Sequence, residues 1–374
     1  MVRSISPVIM ANLREAQFRH AQYYRDVSAD IGGIYAQGRE NVSRSLDIFD
    51  RERPNLEAAF EFLTGVFPEE WSAALAQEAA VILISLVDGA ANASNLRLRP
   101  RERIRWLESQ RHAAQTARDM LAEARALGNL GVAYNQLGDA RKAIAFFAQR
   151  RQVASKTGDK REEADDLINL GNAYLNIGNA KRAVEFFEQA IAFFRKTGER
   201  RKEGAALGNL GNAYFVLGDL HKAIDLHYQD LEIARETGDQ LGECACLGNL
   251  GVAFMNLGHA SKAIEVHNQE LQIARKIGDR RGEGASLGNL GIAHKNLGDA
   301  RKAIEFYEQQ LKVVREIGDR SGEVNALFNS ALALDKLGER ALAIARAEAA
   351  LKILDGIEHP NAAKVRALLA DWRV

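Results

Sequence analysis

Asparagine recurs at 129, 169, 209, 249, 289 and 329, one every forty residues without a slip, and four of the six stand inside the phrase LGNLG. Asn172 and Asn212 follow Asn169 and Asn209 by three residues, which puts them on the same face of a helix. A carboxamide is neither a nucleophile nor a base at neutral pH. It carries a donor and an acceptor together, as a peptide bond does, so a row of such groups can read the backbone of an extended chain without demanding a particular sequence. The alternative use is structural, with the amides bonding between neighbouring units. Gly128, Gly208, Gly248 and Gly288 sit beside these asparagines, and each costs about 0.5–1 kcal/mol against Ala inside a helix. A missing side chain there is expected to let a ligand backbone approach.

Other residues with chemical potential read more plainly. Glu123, Glu163, Glu203, Glu243, Glu283 and Glu323 form a second series near helix starts, where acids favour the macrodipole; a hold on basic ligand side chains is the lesser reading. LRLRPRERIRW at 96–106 has five arginines against one glutamate and could meet phosphate or an acidic partner, but without interleaved aromatics it reads as a solvated loop and helix start. His227 and His267 take the slot filled elsewhere by Phe147, Phe187 and Tyr307, so core packing is expected of them. Cys244 and Cys246 are two apart, point to different helical faces and lack a Cys/His quartet, which argues against a metal site. No nucleophile, base and orienter constellation emerges, and no GxxxxGK[ST] phosphate loop is present. GNLG is mid-helix, unlike the nucleic-acid clamp of a GXXG loop. No enzyme activity, cofactor or metal is therefore expected.

Composition agrees. Fifty basic residues balance fifty acidic ones, removing the long-range pull toward nucleic acid or an anionic membrane. The most apolar stretch, residues 73–91, contains Gln77 and Glu78 and is too short to span a bilayer. Two cysteines, five prolines and no basic-then-apolar leader at the start suit a cytoplasmic setting.

The elements that must position the asparagines follow from two glycine series of the same period. One falls at 138, 178, 218, 258, 298 and 338, the other at 158, 198, 238, 278 and 318, so each unit is two segments between glycine breaks. Leu207, Leu210, Tyr214 and Leu217 make one apolar stripe; Ala223, Ile224, His227, Leu231 and Ala234 make another. A helix pair of this kind cannot close a core alone and must stack on its neighbours, which predicts an all-α solenoid.

The segment NLGNAYFVLGDLHKAIDLHYQDLEIA resembles the tetratricopeptide repeat, with its Leu-Gly, Tyr, Gly-Asp and Ala-Ile marks. The forty-residue unit and the ALGNLGNAY phrase resemble the longer repeats of LGN/Pins-type adaptors and their bacterial counterparts. The resemblance implies a right-handed superhelix whose first helices line a concave peptide-binding groove. Carried onto this chain, that groove comprises Asn129, Asn169, Asn172, Asn209, Asn212, Asn249, Asn289 and Asn329, with Leu175, Asn176, Phe215, Val216, Met255 and Asn256 on its wall; Phe215 and Met255 serve packing between units equally well. It also places Gly131, Gly171, Gly211, Gly251 and Gly291 where the two helices of a unit pack closely.

Six units are expected over residues 121–358. A degenerate first repeat at 71–120 precedes them, because RIRWLESQRHAAQTARD falls in register with KAIAFFAQRRQVASKTGD, Ile104 standing where Ile144 does. A helix from Trp71 to Val87 is its first half and NASNLRLRP a lengthened loop. Residues 359–374 read as a capping helix. Residues 1–70 do not repeat; FDRERPNLEAAFEFL at 49–63 resembles the helical segment leading into sensor repeats of bacterial STAND-type NTPases, so any NTPase would be a separate effector. The expected function is a non-enzymatic adaptor or sensor that holds a protein or extended peptide, with no nucleic-acid or membrane contact. The alternative is a self-assembling scaffold forming a homo-oligomer.

Overall fold

The computed structural model describes residues 7–65, 72–157, 160–356 and 359–373, and every regular element among them is a helix. Two compact units divide the chain, one ending at Asn179 and the other beginning at Ala180. The first holds α1 (Pro7–Ala36), α2 (Arg39–Thr64), α3 (Ala73–Gly89), α4 (Ala91–Arg97), α5 (Pro100–Ala117), α6 (Met120–Gln136), α7 (Ala140–Thr157) and α8 (Lys160–Asn176). The second holds α9 (Ala180–Thr197), α10 (Arg200–Leu217), α11 (Leu220–Glu236), α12 (Gln240–Asn256), α13 (Ala260–Ile277), α14 (Arg280–Asn296), α15 (Ala300–Glu316), α16 (Arg320–Lys336), α17 (Arg340–Gly356) and α18 (Ala362–Trp372).

The Gly-Asp breaks end one helix and start the next within two residues. Gly218 has φ +85°, a left-handed conformation that a side chain resists, and its N–H reaches the Phe215 carbonyl at 3.0 Å while the Asp219 N–H reaches that of Tyr214. Asp219 then accepts from the Lys222 backbone N–H at 3.1 Å, satisfying a donor that the new helix would leave orphaned. Asp239, Asp279, Asp299 and Asp319 repeat that cap. Gly158 lies outside the described residues.

Within each unit of the repeat a first and a second helix close on each other at glycine. A methyl on Gly211 would lie 2.6 Å from the His227 ring, and methyls on Gly131, Gly251 and Gly291 would collide with Phe147, His267 and Tyr307. The rings are therefore core, at most 1% exposed. In the last unit the same contact is made by Ala331 and Ala347, both fully buried, so a small residue and a ring have been exchanged for two methyls. The alanine of each second helix, at 143, 183, 223, 263, 303 and 343, is completely buried. In the second unit the first helices α10, α12, α14 and α16 also touch one another in succession, whereas the second helices make at most marginal contact of that kind, so the first helices stand on the inner side of the stack.

In the first unit α1 and α2 pack on α3, and their Phe49, Leu56 and Phe60 share a core with Ile82, Leu86 and Trp106. Helices α1 and α3 cross closely enough for a methyl on Gly89 to strike the backbone of Ser28, whose hydroxyl donates to the Leu86 carbonyl at 2.6 Å. Phe60 stacks on Trp106 with centroids 4.9 Å apart. The segment expected to be a loop before Pro100 is instead largely helical as α4; Leu98 and Arg99 are extended before Pro100 starts α5, where its absent N–H costs nothing. Trp71, expected to open the preceding helix, lies outside the described residues. Helix α18 packs on α17 through Val365, Leu369 and Trp372. Among the described residues no single helix is long and apolar enough to cross a membrane.

The glycine–ring contact yields a quantitative expectation. Gly291→Ala should destabilise the protein by about 1–3 kcal/mol through overpacking against Tyr307. Combined with Tyr307→Ala, which recreates the pair at 331 and 347, its effect should fall short of additive by at least about 1 kcal/mol, as read from a double-mutant cycle of urea unfolding.

Candidate functional site

Asn209 and Asn212 on α10 and Asn249 on α12 line one concavity of about 300 Å³ in the second unit, walled by two successive first helices and backed by α11. All three are half-buried, and among the described residues their side-chain amides have no hydrogen-bond partner in the protein. Asp230 of α11 also lines it, facing the gap left by Gly204 and Gly208, where a methyl on Gly204 would lie 2.9 Å from its carboxylate. Burial pushes this carboxyl up to about 6, against a hydrogen bond from the Cys246 thiol that favours the charged form. Arg201 and Asp239 complete the polar rim.

Asn289 and Asn329 stand half-buried at the same positions of α14 and α16 in the second unit, as do Asn129, Asn169 and Asn172 on α6 and α8 in the first. Other wall residues behave differently. Asn176 Nδ2 donates to Asn135 Oδ1 at 2.9 Å, a bond between neighbouring repeats. Asn256, expected to face a ligand, spends its amide on the Val252 carbonyl of its own helix at 2.9 Å. Phe215 and Met255 are half-buried and pack against the core built around Leu250 and Phe254, because the step between units leaves them over the next pair. Leu175 is half-buried and Val216 exposed.

The glycines beside the asparagines are not open to a ligand as expected. A polar side chain from the second helix of the same unit fills each gap: Arg150 against Gly128, Asp230 against Gly208, Glu270 against Gly248 and Gln310 against Gly288. A methyl on Gly288 would sit 2.6 Å from the Gln310 amide. The sequence carries the complementary exchange, since the same two positions hold Ile168 with Ala190 and Phe328 with Ala350. Phe328 packs in the cluster that contains the fully buried Ala350. Two facing side chains share one volume, and whichever is large forces the other to be small. That anticorrelation at a spacing of 22 residues is the signal by which Asp230 could have been found.

The glutamate series is structural where it is described. Glu203 is 2% exposed and is held by Arg195 at 2.8 Å and Arg200 at 2.7 Å; burial pushes the carboxyl up, but these hydrogen bonds outweigh it and keep the pKa below the ordinary value. Glu283 and Glu323 repeat the double arginine clamp through Arg275, Arg280, Arg315 and Arg320. His227 is buried and neutral, its pKa lowered by desolvation to about 4, and His267 bonds Glu270 through Nδ1 at 2.8 Å. Cys244 donates toward the Glu270 carbonyl at 3.8 Å while Cys246 meets Asp230, on opposite sides of α12. Burial raises both thiols, to about 11 at Cys244 and further at Cys246, which keeps them protonated at neutral pH.

The tetratricopeptide repeat family matches residues 122–196, 203–276 and 282–356, together more than half of the chain. No curated protein matches it. Among solved structures it is similar to the STAND protein with a tetratricopeptide repeat sensor from Pyrococcus horikoshii, at 16% identity and TM-score 0.62, over 88% of this chain and 54% of that one. It is also similar to the apo quorum sensor NprR from B. thuringiensis, at 12% identity and TM-score 0.56 over 90% and 99% of the two chains. A third is a Rap protein complexed with Competence and Sporulation Factor, at 15% identity and TM-score 0.54 over 94% and 98%. At these identities the likeness is one of fold. Repeat period, helix pairing and the family match agree, and the chain belongs to the tetratricopeptide repeat family.

Proposed function

We propose that this chain is a non-enzymatic adaptor or sensor module whose first helices hold an extended segment of a partner protein. The observation that carries it is the convergence of Asn209, Asn212 and Asn249, three amides without a hydrogen-bond partner among the described residues, on one concavity. Helices pack about 8–10 Å apart and an extended chain advances about 3.3 Å per residue, so each unit meets about three ligand residues. Asn289 and Asn329, and in the first unit Asn129, Asn169 and Asn172, are assigned the same role. Asp230 suits a basic or hydrogen-bond-donating ligand side chain. The relative caught with Competence and Sporulation Factor and the sensor-bearing STAND protein support a binding role in this fold. The forty-residue period favours the LGN/Pins-like subclass of repeat.

Selection of a displayed random-peptide library against the wild-type protein tests this reading. Enriched peptides should lose about ten- to a thousandfold in affinity on Asn209→Ala/Asn212→Ala/Asn249→Ala, from about 0.5–1.5 kcal/mol per amide. A triple variant that melts at a clearly lower temperature yet still binds the selected peptides would make the amides structural and sink the proposal.

Asp230 gives a separate expectation. A carboxyl raised from 3.8 to about 6 in the folded state binds its proton more tightly there than in the unfolded chain. Its contribution to stability is therefore present at low pH and lost as pH rises from about 4 to about 6. Asp230→Asn should melt above wild type at pH 7.5, with the difference shrinking to nothing below about pH 4. Equal melting temperatures throughout would show that the carboxyl is freely solvated.

A further inference from the structure

Arg103 stands where every later unit of the repeat has alanine. Forty residues on from it come Ala143 and then, at each further period, Ala183, Ala223, Ala263, Ala303 and Ala343, all fully buried between the two helices of a unit. Arg103 occupies that position with a long charged side chain, and the residue is only 7% exposed. Among the described residues its one hydrogen bond runs from Nη1 to Gln136 Oε1 at 2.9 Å, a neutral amide, and no acid there offsets its desolvation. Burial pulls its pKa down. Neighbouring arginines are placed differently: Arg97 is paired with Asp50 and Arg105 with Glu61, while Arg99 and Arg101 are exposed.

Burying a cation without a counter-charge is costly, and alanine at this position serves packing in six other units. The space around the guanidinium indicates what offsets that cost. A cavity of about 100 Å³ opens beside it, bounded by α3, α4, α5 and α6 and lined by Ser94, Asn92, Asn95, Asn129 and Trp106, with apolar residues completing its wall. It exists because α4 replaces the tight Gly-Asp break of the regular units with a longer excursion. Its volume is that of about three waters, room for one small group. Ser94 Oγ already donates to the Ala91 carbonyl at 3.0 Å, but an asparagine side chain can donate a hydrogen bond, and Arg103 contributes the positive charge.

We infer that this cavity is an oxyanion site, in which Arg103 with Asn92, Asn95 and Asn129 holds a single carboxylate or phosphoryl group. A guanidinium fork matches either group in a planar, two-bond geometry, and the amides satisfy the remaining oxygen lone pairs. The site shares Asn129 with the proposed peptide face but draws its charge from Arg103, so the peptide reading of the second unit can fail without affecting it.

Thermal unfolding of the full chain with inorganic phosphate alone and with acetate alone, against chloride at matched ionic strength, tests the inference. A saturating anion should raise the wild-type midpoint by about 2 °C or more over chloride. Arg103→Ala, which restores the residue of the other units, and Arg103→Met, which keeps the bulk, should both abolish the rise. A larger response to phosphate assigns a phosphoryl group, and one equal or larger with acetate assigns a carboxylate. Should either Arg103 variant fail to fold, Asn95→Asp at the exposed rim puts a carboxylate beside the guanidinium and should cut the anion response at least severalfold. No response above chloride, or the same response in the folded variants, would overturn the assignment.

Discussion

The contact between a glycine on the first helix and a ring on the second, made in four units, is the constraint on which the rest of the fold depends. Gly131 on Phe147, Gly211 on His227, Gly251 on His267 and Gly291 on Tyr307 leave no room for a methyl, so each helix pair is drawn together at a depth that its ring sets. A pair closed in this way has apolar surface on both flanks and no third layer of its own. Stacking on the next pair buries that surface, and Gly-Asp breaks keep the pairs in step by ending and capping helices within two residues.

A second exchange of volume, at positions 22 residues apart, governs polarity rather than closure. Glycine on the first helix admits Arg150, Asp230, Glu270 or Gln310 from the second; Ile168 and Phe328 go instead with alanine. Each gap therefore carries a different polar group into an otherwise apolar seam. At Asp230 the group reaches the wall of a concavity, with consequences for its own protonation. At Glu270 it is spent on His267. The buried glutamates of the turns work the other way: paired arginines neutralise them and fasten one helix start to the preceding helix end.

The thiols are protonated and the buried histidine at 227 is neutral, while Arg103 in the divergent first repeat meets only a neutral amide among the described residues. Zero net charge leaves no long-range field that favours one class of ligand.

The sequence by itself determined the helices, their pairing and the glycine contacts, because period, capping residues and apolar stripes are local and every unit repeats them. It also placed Asn209 and Asn249 at equivalent positions of successive first helices, with Asn212 one turn on from Asn209. What it did not disclose is where a side chain from another helix arrives. The gaps at Gly128, Gly208, Gly248 and Gly288 read as openings until the second helix was seen to fill them, and Asn256 read as a ligand contact although its own helix uses its amide. NASNLRLRP likewise read as a loop although most of it is helical, and LRLRPRERIRW as solvated although its Arg103 is buried beside a cavity. Occupancy of a shared volume depends on both partners at once, so only the tertiary structure decided which polar groups are spent on packing and which remain free to bind.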